Sequence, residues 1–182
     1  HQEKIKTLVV PNYDSISDWF DKIEIENDPY PFVCSLHDKD GNIMSSGVLI
    51  RPDVVLTAGH CIDDGKVSSV RFWLEEIEVK RLVTHPRYSN YSGPMRNDIG
   101  LIFLDCESSQ PHATIGDVNR LYRYQDIITV GYSFDYKKAS KNGVFKHFGI
   151  ITREPDSMKF IPRPIPIWFG DSGGGVFAKI GG

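Results

Sequence analysis

The sequence predicts an all-β fold, either a barrel or a sandwich. Short apolar runs typical of strands recur along the chain and are separated by turn-forming residues. Helical periodicity is scarce. A less regular polar stretch at 105–119 divides the strand-like runs into two groups. We therefore expect two β units, with a cleft between them in which side chains from both units can meet.

The predicted strands of the first group begin after Pro31. Asp40-Gly41 lies between two apolar runs and indicates a hairpin turn over 37–42. The strands expected in this group are 32–36, 43–50, 54–56, 70–74, 77–83 and 99–104. The second group contains 127–132, 144–152 and 165–169. Ahead of both groups, we expect a short strand at 4–10 and one or two helical turns at 14–20.

These patterns divide the chain into four segments. Residues 1–22 form an N-terminal extension, and Lys22-Ile23 makes it a candidate pro-segment, although an ordinary exposed lysine is the alternative interpretation. Residues 23–106 form the first unit, 107–118 the linker and 119–182 the second unit. The start at His1, without a charged leader and an apolar core, predicts that no signal peptide is present in this chain.

Composition excludes several classes of function. The chain has 182 residues, of which 40% are hydrophobic, so it can build a sizeable core. A formal net charge of −3 and the absence of long basic runs argue against a nucleic-acid partner. No apolar run is long enough to span a bilayer.

The cysteines and histidines give no sign of a metal site. The three cysteines are Cys34, Cys61 and Cys106, and no pair of them has a close metal-ligand spacing. We therefore expect no metal and no cofactor. The histidines at 37, 85, 112 and 147 lie outside any catalytic motif, and we interpret them as surface or turn residues.

A glycine-rich stretch, Gly170-Asp171-Ser172-Gly173-Gly174, carries the clearest chemistry. A serine hydroxyl that attacks a carbonyl builds negative charge on oxygen, and converging backbone N–H groups stabilise that charge. Glycine adopts the backbone conformations that such convergence requires. We expect the N–H groups of Gly170 and Ser172 to form this oxyanion hole. A flexible turn with a solvated Asp-Ser pair is the alternative.

Two further stretches supply the partners that a serine nucleophile needs. Thr57-Ala58-Gly59-His60-Cys61 contains a histidine, and Asn97-Asp98-Ile99-Gly100-Leu101 contains an aspartate at the start of an apolar run. A histidine accepts the serine proton, and a carboxylate fixes the tautomer of that histidine. The residues lie far apart in sequence, so the fold must assemble the triad of His60, Asp98 and Ser172.

These three motifs, in this order, resemble those of the trypsin/chymotrypsin-like serine proteases. Shorter matches to the same family are 31–36, 46–50, 85–88 and 131–132. The resemblance implies two antiparallel β-barrels with the active site between them, and a secreted endopeptidase that cuts protein or peptide substrates through an acyl-enzyme. It implies catalytic roles for His60, Asp98 and Ser172, and no cofactor.

The sequence also departs from the family pattern. The chain ends at Gly182, soon after Ser172, so we expect a second barrel that is incomplete and lacks a C-terminal segment. No Ile-Val-Gly-Gly-like start is present. The alternative function is therefore an inactive or zymogen-like homologue that acts by binding or regulation.

Further departures concern the cysteines and the specificity pocket. Ser45 or Ser46 replaces the family cysteine that pairs with the one after the histidine, and Cys34 is a candidate partner for Cys61 instead. Pro166 stands where trypsin-like enzymes carry a pocket aspartate, so a preference for basic residues is not expected.

Overall fold

The computed structural model of the protein describes residues 20–22, 28–90, 96–117, 120, 126–133, 136–145, 160–162 and 170–178. These residues form eleven strands and one short 3-10 helix. The strands are β1 (Phe20–Lys22), β2 (Val33–His37), β3 (Ile43–Arg51), β4 (Val54–Thr57), β5 (Ser69–Phe72), β6 (Glu75–Thr84), β7 (Gly100–Leu104), β8 (Asp126–Ser133), β9 (Tyr136–Phe145), β10 (Phe160–Pro162) and β11 (Gly175–Phe177). The 3-10 helix spans Gly59–Cys61. The predicted all-β fold is confirmed.

The first unit is a closed barrel in the order β2-β3-β4-β7-β6-β5. Its strands pair antiparallel, and β7 lies between β4 and β6. The predicted strands of this group match the observed ones closely. One exception is 70–74, because the strand ends at Phe72 and the chain turns through Trp73-Leu74.

The barrel interior is filled by apolar side chains from all six of its strands and from the segment after the 3-10 helix. The fully buried members include Cys34, Leu36, Leu49, Val55, Val70 and Ile102. Burial of side chains of this size contributes about 1.5–3 kcal/mol each. This closed core gives β3, β4 and β7 fixed positions, and these are the strands that lead into the candidate site.

The second unit is a five-stranded antiparallel sheet. Its main order is β1-β9-β8-β11, and β10 also pairs with β9. β1 and β10 cover different parts of the same edge of β9, at Ser140 and Phe145 respectively. Phe20–Lys22, within the predicted extension, is thus a strand of the second sheet. The predicted strands at 4–10 and 165–169 lie outside the described residues.

Strands β2 and β3 connect the two units because both of their faces are buried. Cys34 and Leu49 point into the barrel core, whereas Val33 and Val48 pack against Val130 of β8. Tyr30, Phe32 and Phe177 surround this second cluster, with ring centroids 5.2–6.3 Å apart. β11 carries Phe177, so this aromatic packing fixes the strand that directly follows the glycine-rich stretch.

The stretch after β7 runs along the outside of the first barrel. Ser108 donates its N–H to Pro52 O, and Ala113 donates its N–H to Leu49 O. The hydroxyl of Ser108 also donates to Glu75 at 2.6 Å. The predicted linker is therefore attached to the barrel over at least part of its length. Among the described residues, no helix is long and apolar enough to cross a membrane.

Candidate active site

His60 lies on the one-turn helix that follows β4. Ala58 keeps an extended backbone at φ −80° and ψ 143°, and the chain then turns sharply at Gly59. A side chain at Gly59 would come within 3.1–3.3 Å of Thr84, Ile99 and Asp98. The glycine therefore allows the segment that carries Asp98 to approach His60 closely.

Asp98 lies at the mouth of β7, as the sequence predicts. Asn97 before it adopts a left-handed backbone, with φ 50°, and its side chain donates to Arg87 O at 3.0 Å. Ile99 after it donates its N–H to Asn97 O at 2.7 Å. Asparagine tolerates this conformation better than most residues. The tight turn aims the Asp98 carboxylate at the helix after β4.

The structure brings His60 and Asp98 into direct contact. Asp98 Oδ1 accepts the backbone N–H of His60 at 2.8 Å, and Oδ2 lies 2.7 Å from His60 Nδ1. The two side chains are 33% and 25% exposed, so the pair lies at the surface of the protein. The second bond places the ring proton of neutral His60 on Nδ1, which leaves Nε2 with its lone pair.

The glycine-rich stretch reaches the first barrel through Ser46 of β3. Ser46 donates its N–H to Ser172 O at 2.9 Å and its hydroxyl to Gly170 O at 2.7 Å. The same hydroxyl accepts the N–H of Tyr132 in β8 at 2.8 Å. Ser46 is fully buried. It therefore joins the serine stretch to both units of the fold.

Gly173 brings the serine stretch against the end of β4. It has φ +78°, and a Cβ there would overlap Ser46 O and Thr57 Oγ1 and approach Ala58 N. Ser172 is thus held next to the segment that leads into His60, and it is exposed. Among the hydrogen bonds of the described residues, none joins Ser172 Oγ to His60 Nε2. The Sγ atom of Cys61 lies 3.7 Å from Nε2.

Asp171 points away from this contact and packs on β8. A Cβ at Gly131 would lie 3.3 Å from Asp171 Oδ1. Gly174 donates its N–H to Asp171 O at 3.1 Å, which closes a turn around Ser172. The glycines at 131 and 174 therefore make room for the turn that exposes the serine.

Among the described residues, no disulfide involves Cys34, Cys61 or Cys106. Cys34 and Cys61 are buried in the barrel and are not joined, so the pairing that the sequence offered is not formed. Burial raises the pKa of the Cys61 thiol, while hydrogen bonding to Ser45 and Thr57 acts in the opposite direction. The hydroxyl of Ser45 is buried beside this thiol. None of its contacts meets the usual distance and angle limits of a hydrogen bond. Ser45 thus stands where a cysteine partner of Cys61 would be needed.

One interpretation of the lesser histidines was wrong. His37 is a buried residue of β2, with Nε2 2.7 Å from Ser35 Oγ and Nδ1 3.0 Å from Gly41 O. These two polar partners compensate for the burial of the ring. The sequence pattern does not reveal such partners. His85 lies in a turn and accepts the N–H of Arg87, and His112 is exposed. His147 and the pocket residue Pro166 lie outside the described residues.

Sequence reasoning missed the role of Ser46, which it treated only as a candidate replacement for a cysteine. The available signal was a small polar pair, Ser45-Ser46, inside an otherwise apolar strand. Within the described part of the chain, no three His, Cys, Asp or Glu side chains are grouped to hold a metal ion.

The sequence from residue 45 to 182 matches the family described as the trypsin-like peptidase domain. The chain belongs to the trypsin-like peptidase family. Its curated relatives include vitamin K-dependent protein C of Mus musculus, 32% identical over 84 residues, which are 41% of this chain and 18% of that protein. Trypsin theta of Drosophila erecta is also 32% identical over 84 residues, or 41% of this chain and 31% of that protein. The matched region is thus a minor part of each relative.

Solved structures show that this trypsin-like chain shares its fold with many proteins of low identity. The VesB protease of Vibrio cholerae has a TM-score of 0.69 at 19% identity, covering 88% of this chain and 56% of VesB. Human heparin binding protein has a TM-score of 0.69 at 17% identity, covering 88% and 79%. Neuropsin of mouse brain has a TM-score of 0.67 at 22% identity, covering 87% and 81%. At these identities the likeness supports the fold alone.

Proposed function

We propose that this trypsin-like chain is a serine endopeptidase that hydrolyses peptide bonds in protein or peptide substrates through an acyl-enzyme on Ser172. His60 is the general base and Asp98 orients it. The observation that carries the proposal is the double hydrogen bond from Asp98 to His60, at 2.7 and 2.8 Å. A structural ion pair alone would not account for the exposed Ser172, which Gly173 holds against Ser46 and Thr57, next to the segment that leads into His60.

The Asp98 contact prepares His60 to accept a proton. The carboxylate fixes the Nδ1–H tautomer, so the basic lone pair is on Nε2. When Nε2 takes the proton of Ser172 Oγ, the ring becomes positively charged, and the adjacent carboxylate stabilises that charge. General-base assistance of this kind contributes about 10²–10⁴-fold in rate.

The reaction proceeds in two matched halves. Ser172 Oγ attacks the carbonyl carbon of the peptide bond while its proton moves to His60, and the same proton then passes to the departing amine. A water molecule next gives its proton to His60 and attacks the ester. Ser172 recovers that proton as the carboxylic acid product leaves. The steps consume one water and use only groups of this chain.

The backbone around Ser172 supports an oxyanion hole made by the N–H groups of Gly170 and Ser172. Gly170 has φ 96°, a conformation that favours glycine, and its carbonyl is tied to the Ser46 hydroxyl. Among the described residues, neither of these two N–H groups is used by another hydrogen bond. A developing oxyanion requires backbone donors of this kind, and removal of one donor typically costs about 10²–10³-fold in rate.

We further propose that the protein acts outside the cell. One solved structure of the same fold, the VesC protein of Vibrio cholerae, is titled a secreted serine protease, with a TM-score of 0.59 and 19% identity. Detection of the protein in culture medium, against a cytoplasmic marker, tests this localisation.

The test of the catalytic proposal is covalent labelling with a fluorophosphonate, read by intact mass. The wild-type chain is expected to gain one probe, and Ser172→Ala is expected to gain none. Asp98→Asn is expected to label far more slowly at the same folded content, as judged by circular dichroism. Equal labelling of wild type and Ser172→Ala would contradict the assignment of the nucleophile.

One observation favours a second candidate, a zymogen-like or regulatory form. The Ser172 Oγ to His60 Nε2 hydrogen bond is not formed among the described residues, although catalytic bonds often tighten only when substrate binds. Labelling before and after limited digestion with a lysine-specific protease separates the two cases. Labelling that rises only after a cut at Lys22 would favour the zymogen, and labelling without a cut would favour the active form.

A further inference from the structure

Ser46 of β3 holds two carbonyl groups of the turn that carries Ser172. Its hydroxyl donates to Gly170 O at 2.7 Å, and its backbone N–H donates to Ser172 O at 2.9 Å. A trans peptide unit is planar, so a fixed carbonyl also fixes the N–H group of the same unit. Ser46 therefore sets the orientation of two peptide planes, the one that follows Gly170 and the one that follows Ser172.

The peptide plane between these two carries the N–H group of Ser172, a proposed oxyanion donor. Asp171 O belongs to the same plane and accepts the N–H of Gly174 at 3.1 Å. Three consecutive planes of the turn are thus held through their carbonyl oxygens, the first and the third of them by Ser46. The N–H of Gly170, the other proposed donor, adjoins the first plane. A rotation of these planes would turn the donors away from the position that an oxyanion must occupy.

The Ser46 hydroxyl is itself held in place. Its oxygen accepts the N–H of Tyr132 in β8 at 2.8 Å, while its proton is donated to Gly170 O. The side chain is completely buried, and a Cβ at Gly131 would lie 3.3 Å from its oxygen. Because the hydroxyl has only one proton to donate, the direction of its bond to Gly170 is determined by the second sheet as well as by the barrel.

Ser46 also connects this turn with the segment that carries His60. Thr57 Oγ1 donates to Ser46 O at 2.8 Å, and Thr57 is the last residue of β4, just before that segment. The proposed oxyanion donors and the proposed base are thus attached to one residue of β3. Acyl transfer needs both at fixed distances from the nucleophile, since a misplacement of about 1 Å can cost about 10²-fold in rate.

We propose that Ser46 is a positioning residue of the oxyanion hole and fixes its distance from His60. The inference rests on the proposed peptidase function, because without acyl transfer there is no oxyanion to stabilise. Ser46 acts through the N–H groups of Gly170 and Ser172 and does not itself contact the substrate. Its loss therefore slows the covalent step, while reagent binding and the pH dependence that His60 gives to the reaction stay unchanged.

Saturation kinetics of fluorophosphonate labelling test this role, because the phosphoryl oxygen of the probe develops charge where the oxyanion forms. In Ser46→Ala, the maximal labelling rate should fall about 10²-fold. The probe concentration at half-maximal rate and the pH midpoint of labelling should stay at their wild-type values.

The matched control is Ser35→Ala, on the strand that pairs with β3 opposite Ser46. Ser35 is also buried, and its hydroxyl lies 2.7 Å from His37 Nε2, away from the serine turn. This variant should label at the wild-type rate even where urea unfolding shows a loss of stability. Equal loss of labelling in the two variants, or a shifted pH midpoint in Ser46→Ala, would indicate a general structural effect and overturn the inference. An unchanged maximal rate in folded Ser46→Ala would overturn it as well.

Thr57→Val provides a second test if Ser46→Ala does not fold. Valine has nearly the shape of threonine but lacks the hydroxyl that donates to Ser46 O. A lower maximal labelling rate at unchanged probe affinity is expected, and the wild-type rate in the folded variant would refute the role of Ser46. Failure of the wild-type chain to label, or equal labelling of Ser172→Ala, would instead show that the peptidase proposal itself is wrong.

Discussion

Asp98 holds His60 at two points, the backbone N–H through Oδ1 and the ring through Oδ2. One carboxylate therefore sets both where the helix after β4 lies and which nitrogen of the ring is basic. These two effects can be separated, because an amide can replace the first bond but not the charge.

The replacement Asp98→Asn is expected to lower kcat/KM by about 10⁴-fold, since the amide leaves the imidazole in the wrong tautomer. The free energy of unfolding should change much less, because both side chains are partly exposed. Peptide hydrolysis and urea unfolding measure the two effects. Asp105→Asn is the control, because Asp105 is exposed and follows the opposite end of β7 from Asp98. A loss of activity in both variants would argue against a specific role for Asp98.

Gly173→Ala is expected to disrupt the candidate site. The left-handed backbone costs about 1–2 kcal/mol for a residue with a Cβ, and the methyl group would also overlap Ser46 and Thr57. Gly41→Ala is the matched control, since Gly41 has φ +83° but open space around it. We expect only Gly173→Ala to abolish labelling of Ser172. If thermal unfolding and labelling change equally in both variants, the packing argument is wrong.

Ser45→Cys is expected to form a disulfide with Cys61 under oxidising conditions. A cross-link that closes a loop of about 15 residues stabilises by about 3 kcal/mol. Urea unfolding with and without reductant measures the gain. Ser45→Ala separates the cross-link from the loss of the buried hydroxyl, and its stability should not depend on reductant. A gain that persists under reductant would mean that the cross-link is not its source.

Leu74→Gly is expected to stabilise the turn between β5 and β6. Leu74 adopts φ 57° and is 89% exposed. Its backbone conformation is unfavourable, and its side chain gains no free energy from burial. Glycine should relieve about 1 kcal/mol. Leu74→Ala keeps the backbone conflict and should leave the thermal midpoint unchanged. Stabilisation by alanine as well would place the cost in the exposed side chain.

The fold class was predictable because period-two apolar runs and turn residues are local signals. The strand at 70–74 was cut short by a turn at Leu74, a residue type that sequence patterns do not associate with turns. β9 begins at Tyr136, whereas the predicted strand begins at Val144. The prediction missed the first part of β9 because that part is polar and shows no apolar pattern. Local composition thus located most strands but not all of their ends.

The candidate site was only partly predictable. The approach of Asp98 to His60 follows from the two motifs and is observed, whereas the catalytic roles remain predictions. The burial of His37 and the bridging by Ser46 depend on partners far away in sequence, such as Gly170 and Tyr132. A sequence pattern shows where a polar residue stands, but not which distant group forms a hydrogen bond with it.

Because β1 pairs with β9, the second sheet can form only after most of the chain has been synthesised. All six strands of the first barrel have been synthesised once the chain reaches Leu104. Strand β1 can pair only later, because Phe20 pairs with Ser140. Pairings between distant residues form slowly, and chains fold from the amino end as the ribosome releases them. Ser46 meets Ser172 later still, since β11 must also emerge. The proposed general base, His60, is therefore synthesised long before the proposed nucleophile, Ser172, and the chain cannot carry out the proposed reaction until almost all of the described residues have been translated.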